Sequence, residues 1–365
     1  MLYQLSQFES FFGPLRVFKY LSVRCGMAIA LAFFIGIVIA PKTIEFLKRL
    51  KFGQSFRTRE EVGKLAELHE GKKGTPTMGG LIIFASVMPV SLLLARPNAL
   101  VVCAWFVYVS LTALGFADDY LKVVKKNSGG VSGKIKLAVQ AVVVAGIVGI
   151  LRCSEYAFLL EELYAPFLKN PILTAIPVWA MFVFLFFVVA GSSNAINLTD
   201  GIDGLAIGCT VCVALSFAII SYVTGDTISA NYLLLKPIAG AGELTVVCCA
   251  LIGAAMAFLW YNCYPAAVFM GDTGSLALGG LIGTIAFLVQ QPFTLVIVGG
   301  IFVIESVSVI IQVASFKSTG KRVFLCTPIH HHFEYKGWKE TTVVIRFWIV
   351  SLIFALAGLA TLKLR

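Results

Sequence analysis

Stretches of thirteen residues or more without a charged side chain recur along this chain, as in Ala28 to Ala40 and Val178 to Ala190. A helix that crosses the hydrocarbon core of a bilayer needs about 20 mostly apolar residues. Only helices or closed barrels satisfy every backbone polar group there. The runs are continuous rather than alternating, which selects helices over barrel strands. Of the 365 residues, 59% are hydrophobic and only 13% are charged, and the mean hydropathy is +0.91. A soluble domain of this size would need far more polar surface. The chain reads as an all-α polytopic membrane protein, one integral-membrane domain over residues 1–365. The longest gap, 42–77, is too short for a core of its own. The N-terminus lacks a signal-peptide cleavage pattern, so the first run reads as a retained helix.

Ten spans are expected, at about 22–41, 78–96, 99–116, 135–152, 174–190, 204–223, 243–261, 274–290, 293–315 and 343–362. Losing the short third or eighth would leave nine. The gaps after spans 1, 3 and 9 hold eighteen lysines and arginines, whereas the even-numbered gaps hold Lys169 and Lys236, with Arg96 and Arg152 at their edges. Cytoplasmic loops carry the excess of basic residues. The odd gaps are therefore expected in the cytoplasm and both termini outside. Arg16, Lys19 and Arg24, ahead of span 1, run against this. The net charge of +10 belongs to such loops rather than to a nucleic-acid surface. Most of the nine cysteines lie inside apolar runs. Cys209 and Cys212 form a CxxC with no partner pair, which favours close helix packing over a metal or redox site.

Five of the six aspartates fall in three short stretches: Asp118 and Asp119 in GFADDY, Asp200 and Asp203 in NLTDGIDG, and Asp272 in FMGDTGS. Three of the four histidines are consecutive, His330, His331 and His332. Each stretch is expected in an odd-numbered, cytoplasmic gap, as is GKKGTPTMGG. Ionisable groups in or beside a bilayer usually mark function. Adjacent residues on a helix point about 100° apart. If the helix runs through them, Asp118 and Asp119 cannot serve one target equally: one meets substrate while the other binds or orients. Asp200 and Asp203 are expected to share a face at the start of span 6, with Asp200 as a helix cap. FMGDTGS opens span 8, and a helix N-terminus favours phosphate. An aspartate beside phosphate calls for a bridging cation, and Mg²⁺ takes one or two carboxylates plus phosphates; Mn²⁺ would satisfy the same ligands. The histidine triplet lacks zinc-site spacing and suits phosphate or carboxylate partners. Glu305 and Gln312, seven apart in span 9, lie on nearly one face, and Gln312 could reach a ligand. Carboxylates, lysines and imidazoles at a bilayer surface suit phosphoryl transfer between a soluble nucleotide and a lipid.

Together the motifs resemble the polyprenyl-phosphate N-acetylhexosamine-1-phosphate transferases. The adjacent aspartates, the NxxNxxDGxDG stretch from Asn194 to Gly204, and FMGDTGS carry the likeness, which extends over nearly the whole chain. GTPTMGG (Gly74 to Gly80), PIHHHFE (Pro328 to Glu334), KGW (Lys336 to Trp338) and RFW (Arg346 to Trp348) favour the branch whose donor carries N-acetylmuramoyl-pentapeptide. An intact histidine triplet argues against the sister branch that uses UDP-N-acetylglucosamine. The resemblance implies transfer from UDP-N-acetylmuramoyl-pentapeptide to undecaprenyl phosphate, giving lipid I and UMP at the cytoplasmic face of a bacterial inner membrane. It implies Mg²⁺ at Asp272, and Asp118 as the base toward the lipid phosphate with Asp119 close by; a nucleophilic Asp118 is the older alternative. Asn194, Asn197, Asp200, Gly201, Asp203 and Asn262 would line the substrate. Phe269 would stack on uracil with Gln312 near it, and Lys72, or its neighbour Lys73, would meet phosphate or nucleoside. His330 and His331 would contact the sugar-phosphate, with His332 in support. A homodimer is a further implication. The competing class is an ion-coupled transporter, whose carboxylates lie near the bilayer midplane between repeats; here they lie at span ends and no internal repeat is visible.

Overall fold

The computed structural model describes residues 2–8, 10, 13–49, 74–123 and 129–364. Lys72 and Lys73 lie outside the described residues, so their expected roles have no structural account here. The described chain folds into helices: α1 (Leu21–Arg49), α2 (Gly80–Leu94), α3 (Ala99–Val123), α4 (Gly133–Arg152), α5 (Val178–Thr199), α6 (Leu205–Gly225), α7 (Thr227–Tyr232), α8 (Gly242–Asn262), α9 (Gly271–Leu288), α10 (Pro292–Val298), α11 (Gly300–Thr319), α12 (Ile329–Tyr335) and α13 (Glu340–Ala360). Nine of these are long and apolar enough to cross a membrane by length and composition. The protein is a polytopic helical membrane protein.

The ten expected segments are all present, but the one that falls short is the second, not the third or eighth. Helix α2 has 15 residues, about 22 Å at 1.5 Å per residue. Its expected first residues are diverted into a loop pairing. The Phe269 amide donates to Pro76 O at 2.8 Å, Gly79 N to Phe269 O at 2.8 Å and Gly80 N to Met270 O at 2.9 Å. The ninth segment is broken at Gly299 into α10 and α11. The third and fifth run past their expected ends, to Val123 and Thr199. Asp118, Asp119, Asn194 and Asn197 are therefore helical rather than in gaps.

Helix α9 is the axis of the bundle, with nearly every residue buried. It packs against α3 and α5 with backbones in close approach, as small residues allow between membrane helices. At Gly115 on α3 an added Cβ would stand 2.1 Å from Asp272 O, so only glycine lets α3 meet the first turn of α9. Large apolar side chains such as Phe34, Phe187, Ile310 and Leu356 stay exposed on the outer helices, where lipid would cover them. Between α5 and α10–α11 runs an apolar groove of about 350 Å³, lined among others by Phe184, Phe187, Ile196, Phe293 and Phe302.

The chain ends and the aspartate cluster occupy opposite ends of the bundle. Arg24, early in α1, reaches Glu243 at the start of α8. Lys363, after α13, donates to Tyr232 O in α7. Both contacts lie at the end where α6 finishes, while Asp203 and Gly204 precede α6 at the other end.

Candidate active site

Two helices bring the acidic groups together. One oxygen each from Asp118, Asp119 and Asp272 lies within 4.8 Å of the others. Asp118 and Asp119 come from α3, and Asp272 from the first turn of α9. Asp118 is fully buried. Its Oδ1 accepts from Val131 N at 2.8 Å and lies 3.0 Å from Lys136 Nζ; its Oδ2 is 2.5 Å from Lys122 Nζ. Asp272 Oδ2 takes Lys136 Nζ at 2.6 Å and Lys122 Nζ at 3.3 Å, and its Oδ1 accepts from Asn197 Nδ2 at 2.8 Å. Asp119 faces elsewhere, toward the backbone of Asp272 and Thr273.

Three carboxylates against two ammonium groups leave a negative surplus. Asp200 adds to the crowding. It keeps some surface, but the dense protein around it, then the charges of Asp272 and Asp119, push its carboxyl up to about 8. Crowded carboxylates resist ionising together. A divalent cation among them would relieve that repulsion, and an all-oxygen donor set is what a hard cation takes. The residues fit such an ion.

The remaining expected residues form a second tier. Asp200 is not an N-cap: it closes the C-terminus of α5, and left-handed Gly204 starts α6. Asp200 and Asp203 therefore flank a turn and share no helical face. Asp203 Oδ2 accepts from Ala266 N at 3.0 Å, and its amide donates to Glu340 Oε1 at 2.8 Å. Asn262 accepts from Gly204 N at 3.1 Å and donates to Val268 O at 2.8 Å. Trp348 Nε1 donates to Gly204 O at 3.2 Å. These bonds brace the DGIDG turn against the 262–268 loop and α13. Phe269 is half-buried at the edge of this assembly.

His330 and His331 reach the same turn from α12. His330 Nδ1 pairs with Glu305 Oε2 at 3.1 Å, both side chains fully buried. His331 Nδ1 pairs with Glu334 Oε2 at 2.6 Å. An added Cβ on Gly201 would stand 2.3 Å from His330 Nε2, so glycine is required where the imidazole meets the turn. His332 accepts from Leu325 N at 3.1 Å; desolvation, then the charge of Lys336, hold it below the usual histidine range. Two expected residues bond to neighbouring backbone. Asn194 donates to Ala190 O of its own helix. Gln312 donates to Phe324 O and accepts from Val323 N and Phe324 N, so its amide holds the 323–324 loop.

Lys136 is the main residue that sequence reasoning missed. It carries no local signal, because its partner Asp272 is 136 residues away. Lys122 has one: it stands four residues after Asp118 on one helix, a spacing at which side chains meet.

Residues 100–290 match the family model described as Glycosyl transferase family 4. Residues 72–84 match the signature described as Phospho-N-acetylmuramoyl-pentapeptide-transferase signature 1. A protein of Opitutus terrae bearing the name phospho-N-acetylmuramoyl-pentapeptide-transferase is 50% identical over 372 residues, covering 100% of both chains. Proteins of the same name from Methylacidiphilum infernorum and Rhodopseudomonas palustris are 50% and 47% identical, again over 100% of each chain. The buried aspartate cluster, the braced DGIDG turn and the full-length identity lead to one conclusion: this chain belongs to the phospho-N-acetylmuramoyl-pentapeptide-transferases, within glycosyl transferase family 4.

Proposed function

We propose that this protein transfers phospho-N-acetylmuramoyl-pentapeptide from its UDP-linked form to undecaprenyl phosphate, giving lipid I and UMP for peptidoglycan synthesis. The observation that carries the reading is the junction of groove and cluster. Ile196 lines the apolar groove, and the next residue, Asn197, donates to Asp272. A polyprenyl chain lying in that groove brings its phosphate to the carboxylates and lysines. The cluster then faces the cytoplasm of a bacterial membrane, with both termini outside, as the distribution of basic residues supports. Residues 1–365 act as a single domain.

Mg²⁺ held by Asp272 would neutralise the charge of the donor pyrophosphate. Lys122 and Lys136 offset the remaining phosphate charge. Asp118 takes the proton of the acceptor phosphate. The freed oxygen attacks the phosphorus that bears the sugar, and the bond to the UMP oxygen breaks. Asn197, Asp200, Gly201 and Asp203 line the nucleotide side, Phe269 stacks on uracil, and His330 and His331 face the sugar-phosphate. The work is mostly positioning and charge neutralisation.

The test is UMP release from the purified protein given polyprenyl phosphate, Mg²⁺ and each UDP-sugar in turn. Release with UDP-N-acetylmuramoyl-pentapeptide alone is expected. Release with UDP-N-acetylglucosamine would move the protein to the sister activity, and no release with any sugar would return it to the transporter class.

A further inference from the structure

The first N–H groups of a helix have no partners within it. At the start of α9 they are met by a carboxylate from another helix. Asp119 Oδ1 accepts from Asp272 N at 3.2 Å, and its Oδ2 accepts from Thr273 N at 2.9 Å and from Thr273 Oγ1 at 2.6 Å. Asp119 is buried, so water does not compete for these bonds. An ionised carboxylate offers about four acceptor positions, and three are spent on α9. Negative charge at a helix N-terminus is also favourable in itself. Asp118, one residue earlier, has no such bond: its oxygens meet Lys122, Lys136 and Val131 N. The close contact of Gly115 with Asp272 O clamps the same joint from the α3 backbone.

We infer that Asp119 is a positioning residue: from α3 it caps the N-terminus of α9, and so sets Asp272 opposite Asp118, rather than holding the cation or taking the proton itself. This rests on the reading of the cluster as a metal-dependent transfer site. It divides the adjacent aspartates between chemistry and support. It also means that proximity alone overstates the number of cation ligands in the cluster.

The full-length protein in detergent tests it through three readouts on Asp119→Asn and Thr273→Val. The readouts are deuterium exchange of peptides covering 270–276, Mn²⁺ binding by electron paramagnetic resonance, and UMP release. Asp119→Asn keeps one acceptor oxygen but sets an amide against the helix N–H groups. Exchange there should speed up and Mn²⁺ binding weaken, each by roughly fivefold, the scale of a lost helix cap, and kcat should fall. Thr273→Val removes only a hydroxyl from a residue that is no ligand, and should show the same pattern more weakly. Lost Mn²⁺ binding with unchanged exchange in Asp119→Asn would make Asp119 a ligand and overturn the inference. Lost UMP release with exchange and Mn²⁺ affinity both unchanged would make it the base, and would also overturn it. A wild-type protein that releases no UMP would overturn the transferase reading, while exchange and Mn²⁺ binding would still report on Asp119.

Discussion

Each end of the bundle buries an ionic cluster, and the two are built differently. At the end near the termini, Arg24 meets Glu243 through two bonds of 2.6 and 2.7 Å and donates to Leu94 O at 3.0 Å. Arg96 N adds a bond to the same carboxylate at 2.8 Å. The carboxylate is outnumbered by donors, and among the described residues no second acid stands beside it. At the other end, Asp118, Asp119 and Asp272 crowd within 4.8 Å, with two lysines spread across Asp118 and Asp272. In the first cluster the carboxylate is fully supplied with donors, and its bonds tie α1, α2 and α8 together. The second keeps like charges close without enough cations to balance them, an arrangement that burial alone makes costly. A buried ion pair with matched partners marks architecture, whereas a buried surplus of one sign suits a site for a charged ligand.

Substitutions can break this contrast. Asp272→Asn removes the carboxylate that both lysines and Asn197 share. UMP release should fall by ~10³ or more, the scale of losing a main electrostatic stabiliser, with no recovery in excess Mg²⁺; near-normal turnover would remove Asp272 from the metal site. Arg24→Met should act on stability instead. Breaking a buried pair by removing one partner costs about 3–5 kcal/mol, so folded yield and Tm should drop while turnover per folded molecule holds. Adding Glu243→Leu should recover part of the loss, and a lower kcat in the folded fraction would show that the two ends are not independent. Lys136→Met removes a charged bond worth ~1.5–3 kcal/mol. It should lower kcat/KM by roughly 10- to 100-fold, more than Lys122→Met, whose contact with Asp272 is longer. Gln312→Ala is expected to have the smallest effect. It should loosen the 323–324 loop by about 1 kcal/mol in a thermal-shift assay, with the KM for the nucleotide unchanged. A raised KM would instead bring Gln312 to the uridine.

Much of this was legible in the linear chain. Ten apolar segments appear where expected because a membrane-crossing segment must be apolar along its whole length, a requirement written locally. The three acidic stretches and the histidine triplet were legible as motifs, and the split between Asp118 and Asp119 followed from helix geometry. Where helices end was less visible. Helix α3 runs on through Asp118 and Asp119 because their carboxylates are met by lysines and by the start of α9, not by water. Helix α2 starts late because residues 76–80 pair with Phe269 and Met270.

Arg24 shows the boundary most clearly. Read along the chain, it is a basic residue on the wrong side of the first span. In the folded protein it is the partner of Glu243, 219 residues away, so it is not a free loop charge at all. By itself, the sequence determined the class of protein, the number of apolar segments and the residue types of the site, since hydrophobicity and motif spacing are local properties. Only the tertiary structure decided which charges pair, that Lys136 joins the cluster, and that Asp119 faces the start of α9 while Asp118 faces the lysines. Those outcomes depend on how helices pack, and the close approaches that set the packing join residues far apart in the chain.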